Sequence, residues 1–234
     1  MIMRQVELDV EPAQVPAFRA CFAAAFGVLA RQAGGVWFRL LQESERPNRF
    51  IGLSAWTDTA SMERGRQAPE YLWVMQAGPQ KFWRSPAIHT DFNLLDMVWG
   101  LKGAEVYPGK GRTVHHIVGG VGPGKWALWR TYSRNFFATM GRQPGIASFE
   151  IYRPADGAER FLVVRGFMGK ADEAVAPGQT ASNEVQFAVA PVEKYKLYEG
   201  AEKTVTRRCE VVDMVWGAEG TRAIKGVMEA AKPE

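Results

Sequence analysis

The chain has 234 residues, a 26.0 kDa mass, 47% hydrophobic and 23% charged residues, and a formal net charge of +4. That balance is ordinary for a globular protein and excludes disordered, collagen-like and disulfide-scaffold chains. The two cysteines, Cys21 and Cys209, fall in apolar stretches and read as small core residues. The absence of any run of five Lys/Arg argues against a nucleic-acid partner.

In chain order, the first predicted strand carries Val6, Leu8 and Val10 on one face and Gln5, Glu7 and Asp9 on the other, a period of two. A helix follows with Val15, Phe18, Phe22, Phe26 and Leu29 at spacings of three and four. Pro16 suits its first turn and Gly34-Gly35 ends it. Trp37 to Gln42 and Phe50 to Trp56 form a hairpin around Glu43–Asn48. A helical region from Ala60 to Trp83 is expected to break at Gly78-Pro79, and a fourth strand closes at Asp96-Met97-Val98-Trp99-Gly100. The longest apolar-rich stretch, Ala20 to Ala30, is too short to span a membrane. With acidic residues by Glu7 against a secretory leader, the expected location is cytoplasmic.

The pattern then repeats. Asp213-Met214-Val215-Trp216-Gly217 restates the five-residue string, and Arg142-Gln143-Pro144-Gly145, Phe149 and Arg160-Phe161 match Arg31-Gln32-Ala33-Gly34, Phe38 and Arg49-Phe50. In the second copy the expected elements are a strand at Thr113–Val118, a helix buried through Trp129, Tyr132, Phe136 and Met140, and a hairpin around Pro154–Gly157. A helical region follows at about Ser182–Tyr198, broken at Pro191. Each copy is β-α-β-β-α-β. The reading is an α+β fold of two tandem ferredoxin-like repeats, 1–100 and 112–217, with a linker at 101–111 and a C-terminal helix at 218–234 through Ile224, Val227, Met228 and Ala231. Each sheet has helices on one face, and the two bare faces are expected to pack sheet to sheet into an α+β barrel.

Residues Arg49-Phe50-Ile51-Gly52-Leu53, Ala55-Trp56-Thr57-Asp58, Ala68-Pro69-Glu70-Tyr71 and Phe149-Glu150-Ile151-Tyr152-Arg153 resemble the antibiotic-biosynthesis-monooxygenase group of the dimeric α+β barrel superfamily. The resemblance implies a pseudo-dimer within one chain, with a further homodimer left open. It also implies a cofactor-independent monooxygenase acting on a small aromatic or quinone-type molecule, with no metal. The alternatives are a non-catalytic protein holding a small hydrophobic ligand, and a haem protein of the same superfamily. Members often carry a histidine three residues before Ala68, where this chain has Gly65. The haem-degrading branch needs an axial histidine on the second helix, where this chain has Gly65 and Met75. The second copy lacks the helix motif, which places the expected site in the first.

Tyr71, Trp73 and His89 are the candidate catalytic side chains, as polar tips that deprotonate a substrate and hold its anion. Trp37, Arg39, Trp56, Trp83 and His116 are the candidate substrate-binding residues. His116 aligns in this reading with Val6 and His115 with Gln5. Arg39 and Glu150 occupy matching places on the second strand of each copy and are expected to pair, since buried charges need partners. The Gly119–Gly124 run lacks the Lys-Ser/Thr ending of a phosphate loop and reads as a strand-to-helix turn.

Overall fold

The structure, a computed structural model, describes residues 1–99, 112–169 and 195–220. The linker at 101–111, the helical region around Pro191 and the C-terminal helix through Ile224 to Ala231 lie outside the described residues. The strands are β1 (Ile2–Asp9), β2 (Gly35–Glu43), β3 (Arg49–Trp56), β4 (Ile88–Trp99), β5 (Thr113–Gly120), β6 (Ile146–Pro154), β7 (Arg160–Phe167) and β8 (Val205–Trp216). The helices are α1 (Val15–Ala30), α2 (Thr59–Arg66), α3 (Pro69–Ala77) and α4 (Trp126–Gly141). The class is α+β, and the antiparallel strands follow in hydrogen-bonded order β1-β3-β2-β8-β5-β7-β6-β4.

Two compact units divide the chain, residues 1–93 with 210–234 and residues 94–209. The second half of β8 therefore belongs to the first unit and the second half of β4 to the second. Arg19 of α1 donates to the Val212 carbonyl at 3.4 Å. In the second unit Arg130 of α4, 111 residues on, donates to the Leu95 carbonyl at 3.0 Å. Residues 217–219 extend the hold in the first unit: Gly217 N–H donates to Val36 O, Ala218 to Ala30 O and Glu219 to Gly35 O, each at 2.9 Å. A Cβ on Gly217 would stand 2.2 Å from the Gly35 carbonyl oxygen, so the glycine closing the repeated pentapeptide permits this approach.

In the first unit, α1 lays Phe18, Phe22, Phe26 and Leu29 on the sheet face formed by Ile2, Leu8, Phe38, Leu40, Phe50 and Trp56. By length and composition Pro12–Ala30 is long and apolar enough to cross a membrane, a longer run than the Ala20–Ala30 stretch named above. Its large apolar side chains nonetheless belong to the core of their own unit. Cys21 is half-buried and Cys209 buried, both as free thiols. Gly34 and Gly145, at φ +86° and +82°, supply the left-handed turn after α1 and α4.

Two expectations are corrected. The second-copy helix buries Trp129, Ser133, Phe137 and Met140, whereas Tyr132 and Phe136 are half-buried, with Tyr132 stacked on Tyr195. These four stand 111 residues after Phe18, Phe22, Phe26 and Leu29, so the stripe follows the repeat and not the aromatic residues. The helical region 60–83 also breaks earlier than expected. Pro69 forces Ala68 to ψ 129°, which separates α2 from α3 ahead of the turn at Pro79–Phe82. Asp58 caps α2, accepting from the Ser61 N–H at 2.7 Å.

The β1 alignment shifts by one residue as well. The burial pattern of β1 from Ile2 recurs in β5 from Thr113, so His116 answers to Gln5 and His115 to Arg4. Gln5 and His116 are both buried on the sheet face turned away from the helices. Burial, with the Arg207 guanidinium adding to it, pushes the His116 imidazole down to about 3. The folded state thus resists a proton that the unfolded chain accepts near 6.5. Stability is complete above that value and is lost as pH falls toward 3, by up to roughly 5 kcal/mol. His116→Gln, which installs the side chain the first unit uses at Gln5, is expected to flatten this acid-side decline. Urea midpoints between pH 7 and pH 3 check it; parallel losses in wild type and variant would refute the assignment.

Candidate functional site

The first unit encloses a cavity of about 290 Å³ between its sheet and helices. Strand register builds the floor. Val6 of β1 pairs with His89 of β4 on one side and Gly52 of β3 on the other. Two residues along, Arg4 pairs with Asp91 and Ser54. Alternation turns all six toward the helices. Trp56 continues the β3 row, Phe22, Phe26 and Leu29 of α1 form one wall, and Arg66, Tyr71, Leu72, Met75 and Trp83 close the other side. Trp83 is fixed by an antiparallel bridge to Val10.

The charges on this floor are ordered. Arg4 donates to Asp91 through both Nε and Nη2, each at 2.6 Å, a bidentate pair that fixes the guanidinium plane. Arg4 Nη2 lies 3.5 Å from Glu63 on α2, and Arg66 Nη1 lies 3.2 Å from the same carboxylate. The hydrogen bond to Asp91 is the main reason the Arg4 guanidinium is held above its ordinary value. Burial, reinforced by Arg4 and Arg66, holds the His89 imidazole below its usual range against the opposing pull of Asp91. Burial raises the Tyr71 phenol, partly offset by Arg66 and Arg4. At neutral pH the cavity therefore presents an uncharged imidazole, which can take a proton, and an uncharged phenol, which can give one.

Of the residues singled out from the sequence, Tyr71, His89, Trp56 and Trp83 line this cavity together. Trp73 does not: it is 70% exposed on α3. Trp37 and Arg39 are fully buried on the opposite sheet face, with the Arg39 guanidinium 3.8 Å from the centre of the Trp37 ring. His116 lies buried in the second unit. Glu150, also in the second unit, is fully buried and accepts from the Tyr152 hydroxyl at 2.5 Å. Arg4, Asp91, Ser54 and Arg66 are not among the residues that the sequence singles out. Arg4 carried a usable signal, a charged residue in phase with the apolar face of Val6 and Leu8.

At the equivalent floor positions of the second unit, His115 pairs with Arg165 and Ile117 with Val163, so larger side chains replace Ser54 and Gly52. Arg165 Nη2 lies 2.6 Å from His115 Nδ1, and the His115 ring stands edge-on to Phe167 at 4.8 Å. Among the described residues, no group of three or more His, Cys, Asp or Glu side chains converges as a metal site would require.

An aromatic cavity between the helices and sheet of an α+β unit is the kind of concave, mostly apolar space that small-molecule sites use. Residues 1–77 match the family described as antibiotic biosynthesis monooxygenase. The match covers the cavity from Arg4 to Met75 and stops short of Trp83 and His89. The two-unit fold recurs in a proposed monooxygenase of Fusobacterium nucleatum, with TM-score 0.73 and 6% identity over 92% of this chain and 94% of that one. A proposed monooxygenase of Lactobacillus acidophilus NCFM gives TM-score 0.71 and 5% identity over 92% and 95%. An anthrone oxidase-like protein gives TM-score 0.67 and 11% identity over 94% of each chain. These likenesses establish the fold. No curated protein sequence matches this chain.

The second-helix position Gly65 is closed to a larger side chain. A Cβ on Gly65 would stand 2.3 Å from Trp56 Cη2. In an open helix, glycine to alanine gains up to about 1 kcal/mol. Gly65→Ala should instead lose about 1–3 kcal/mol, the cost of overpacking, read as a lower urea midpoint. A more stable variant would show that Trp56 yields its place freely.

Proposed function

We propose that the protein is a cofactor-independent monooxygenase that oxidises a small aromatic, quinol- or anthrone-type substrate in the cavity of the first unit. One observation carries the reading: next to the segment that matches the monooxygenase family, an imidazole kept uncharged at neutral pH faces a cavity walled by aromatic side chains.

Such a substrate supplies its own electrons to oxygen once it is an anion, so the protein has to bind it, remove a proton and stabilise the charge. For an anthrone-type ring ketone, His89 takes a proton from the ring CH2 and leaves an enolate. The enolate carbon reduces O2 and forms the C–O bond, and the peroxide oxygen takes back one proton. Loss of the second C–H proton breaks the O–O bond, expels water and leaves a carbonyl. The sum is substrate plus O2 giving quinone plus water. Tyr71, kept protonated by burial, is the donor for the departing hydroxide. The flat faces of Trp56 and Trp83 supply binding area. Their Nε1 atoms are buried and have no hydrogen-bond partner among the described residues, so they act through packing.

Two observations weigh against ligation of haem through the second helix. Its ligand position is Gly65, and Trp56 occupies the space above it.

Oxygen uptake with anthrone is the first assay, since an anthrone oxidase-like protein shares the fold. His89→Gln should reduce kcat by about 10²–10⁴-fold. In the wild type kcat/KM should rise with pH through a value below 6.5, because the depressed imidazole of the free enzyme is already the base at neutral pH, and the variant should lose this acid limb. Tight binding of aromatic ligands without oxygen uptake across a substrate panel would make the protein a ligand carrier instead.

A further inference from the structure

We infer that Arg4 is the oxyanion-holding residue of the first-unit cavity, and that Asp91 is the positioning residue that aims it. The inference rests on the reading of this cavity as the ligand site and assigns the group that stabilises the ligand's negative charge.

Geometry carries the assignment. Arg4 belongs to the strand forming the centre of the cavity floor, two residues along from the Val6–His89 pair. Its fork to Asp91 uses Nε and Nη2, and the Glu63 contact also falls on Nη2. The two Nη1 hydrogens lie outside those contacts, on a side chain that lines the cavity and keeps 14% of its surface exposed. A bidentate carboxylate behind a guanidinium removes its rotational freedom and leaves its far edge as a preoriented donor. An anion formed by proton transfer to His89 then arises beside a cation already in place, with no side chain left to reorganise.

A phenol already in this wall reports the field. Tyr71 feels Arg66 and Arg4 as groups that favour its anion, against the burial that raises it. Asp91 acts on His89 from the β4 side of the floor, Glu63 of α2 contacts Nη2 of Arg4 and Nη1 of Arg66, and Tyr71 on α3 still feels both guanidinium groups as cations. A ligand oxygen on the α3 side meets cations first. Arg66 is shared with Glu63 through two contacts of 3.2 and 3.3 Å, which makes Arg4 the better-fixed of the two.

The test measures the ionisation of a bound phenol and needs no turnover. 4-Nitrophenol, whose phenolate absorbs in the visible, is titrated with pH while bound to the full-length protein. Nitrobenzene, the same ring without the ionisable group, is the control for an intact cavity. The wild type should hold the bound phenol about one to three pH units below its value in solution, the range for an opposite charge within about 4–6 Å. Arg4→Met should abolish most of that shift and leave nitrobenzene affinity within about twofold, as expected when only a charge interaction is lost. Arg4→Lys should restore part of the shift, since it returns the charge without the fork. Asp91→Asn should give an intermediate shift. His89→Gln should keep the shift, which separates the cation from the base.

A shift that persists in Arg4→Met with nitrobenzene binding intact would overturn the assignment and leave the cavity as the ligand site. Failure of wild-type protein to bind either probe would overturn the ligand-site reading and the assignment with it. If Arg4→Met does not fold, an unshifted phenol in the wild type is the result that overturns it.

Discussion

The structure depends on backbone pairing that neither repeat can complete by itself. A β-strand with a bare edge leaves N–H and C=O groups without partners, and in each unit the strand that meets this need comes from the end of the other repeat. The exchange is fastened the same way twice, by Arg19 on the Val212 carbonyl and Arg130 on the Leu95 carbonyl. It accounts for the length of β4 and β8, each Asp-Met-Val-Trp-bearing strand running 12 residues against eight or nine for the others. A 12-residue strand can serve one unit with its first half and the other with its second. Residues 217–219 add three backbone hydrogen bonds at the end of this path, on Gly35, Val36 and Ala30. The pentapeptide is thus explained by backbone geometry in the second copy, where Gly217 must lie against a carbonyl.

Within this shared scaffold the units have diverged at a few sheet positions. The burial sequences of β2 and β6 are identical, as are those of β3 and β7. Floor positions that are Gly52 and Ser54 in the first unit are Val163 and Arg165 in the second. Adding bulk to a sheet face packed under helices consumes the space a ligand would need. The duplicated fold thus keeps a cavity-forming floor in its first copy. In the second it builds a floor of His115, Arg165 and Phe167 packed against one another.

Much of this was legible in the residues. The identical pentapeptide, the period-two strands and the Phe18-Phe22-Phe26-Leu29 stripe were enough to give α+β repeats, because repetition and periodicity are properties of neighbours in sequence. What was not legible depends on register across strands. A one-residue slip in the β1–β5 alignment exchanges the faces of His115 and His116. Tyr132 and Phe136 drew attention as aromatics, while the buried positions were Ser133 and Phe137. The site was half visible. Tyr71, His89, Trp56 and Trp83 were named from residue type, but Trp37, Arg39 and Trp73 share that chemistry and lie on another face or at the surface. Composition cannot distinguish them, because alternation along β2 is uniformly apolar or buried on both sides. Arg4 and Asp91 are 87 residues apart and become partners only when β1 and β4 align.

That long-range pair also bears on how the cavity holds an uncharged imidazole beside a charged guanidinium. A base that must be uncharged near neutrality and a cation that must persist there make opposite demands on solvation. Burial serves the first by disfavouring imidazolium, and would undermine the second unless the cation carried a partner. The floor meets both demands on adjacent strands. His89 is desolvated with cations nearby, and Arg4 is desolvated but forked to Asp91. The carboxylate does raise His89 somewhat, yet burial and the two guanidinium groups outweigh it, so the imidazole stays below its ordinary value. Moving Asp91 to the α3 side would place its charge against the ligand and against Tyr71. Its position on β4, two residues beyond His89, keeps the guanidinium charged through Nε and Nη2 and leaves Nη1 outside the fork.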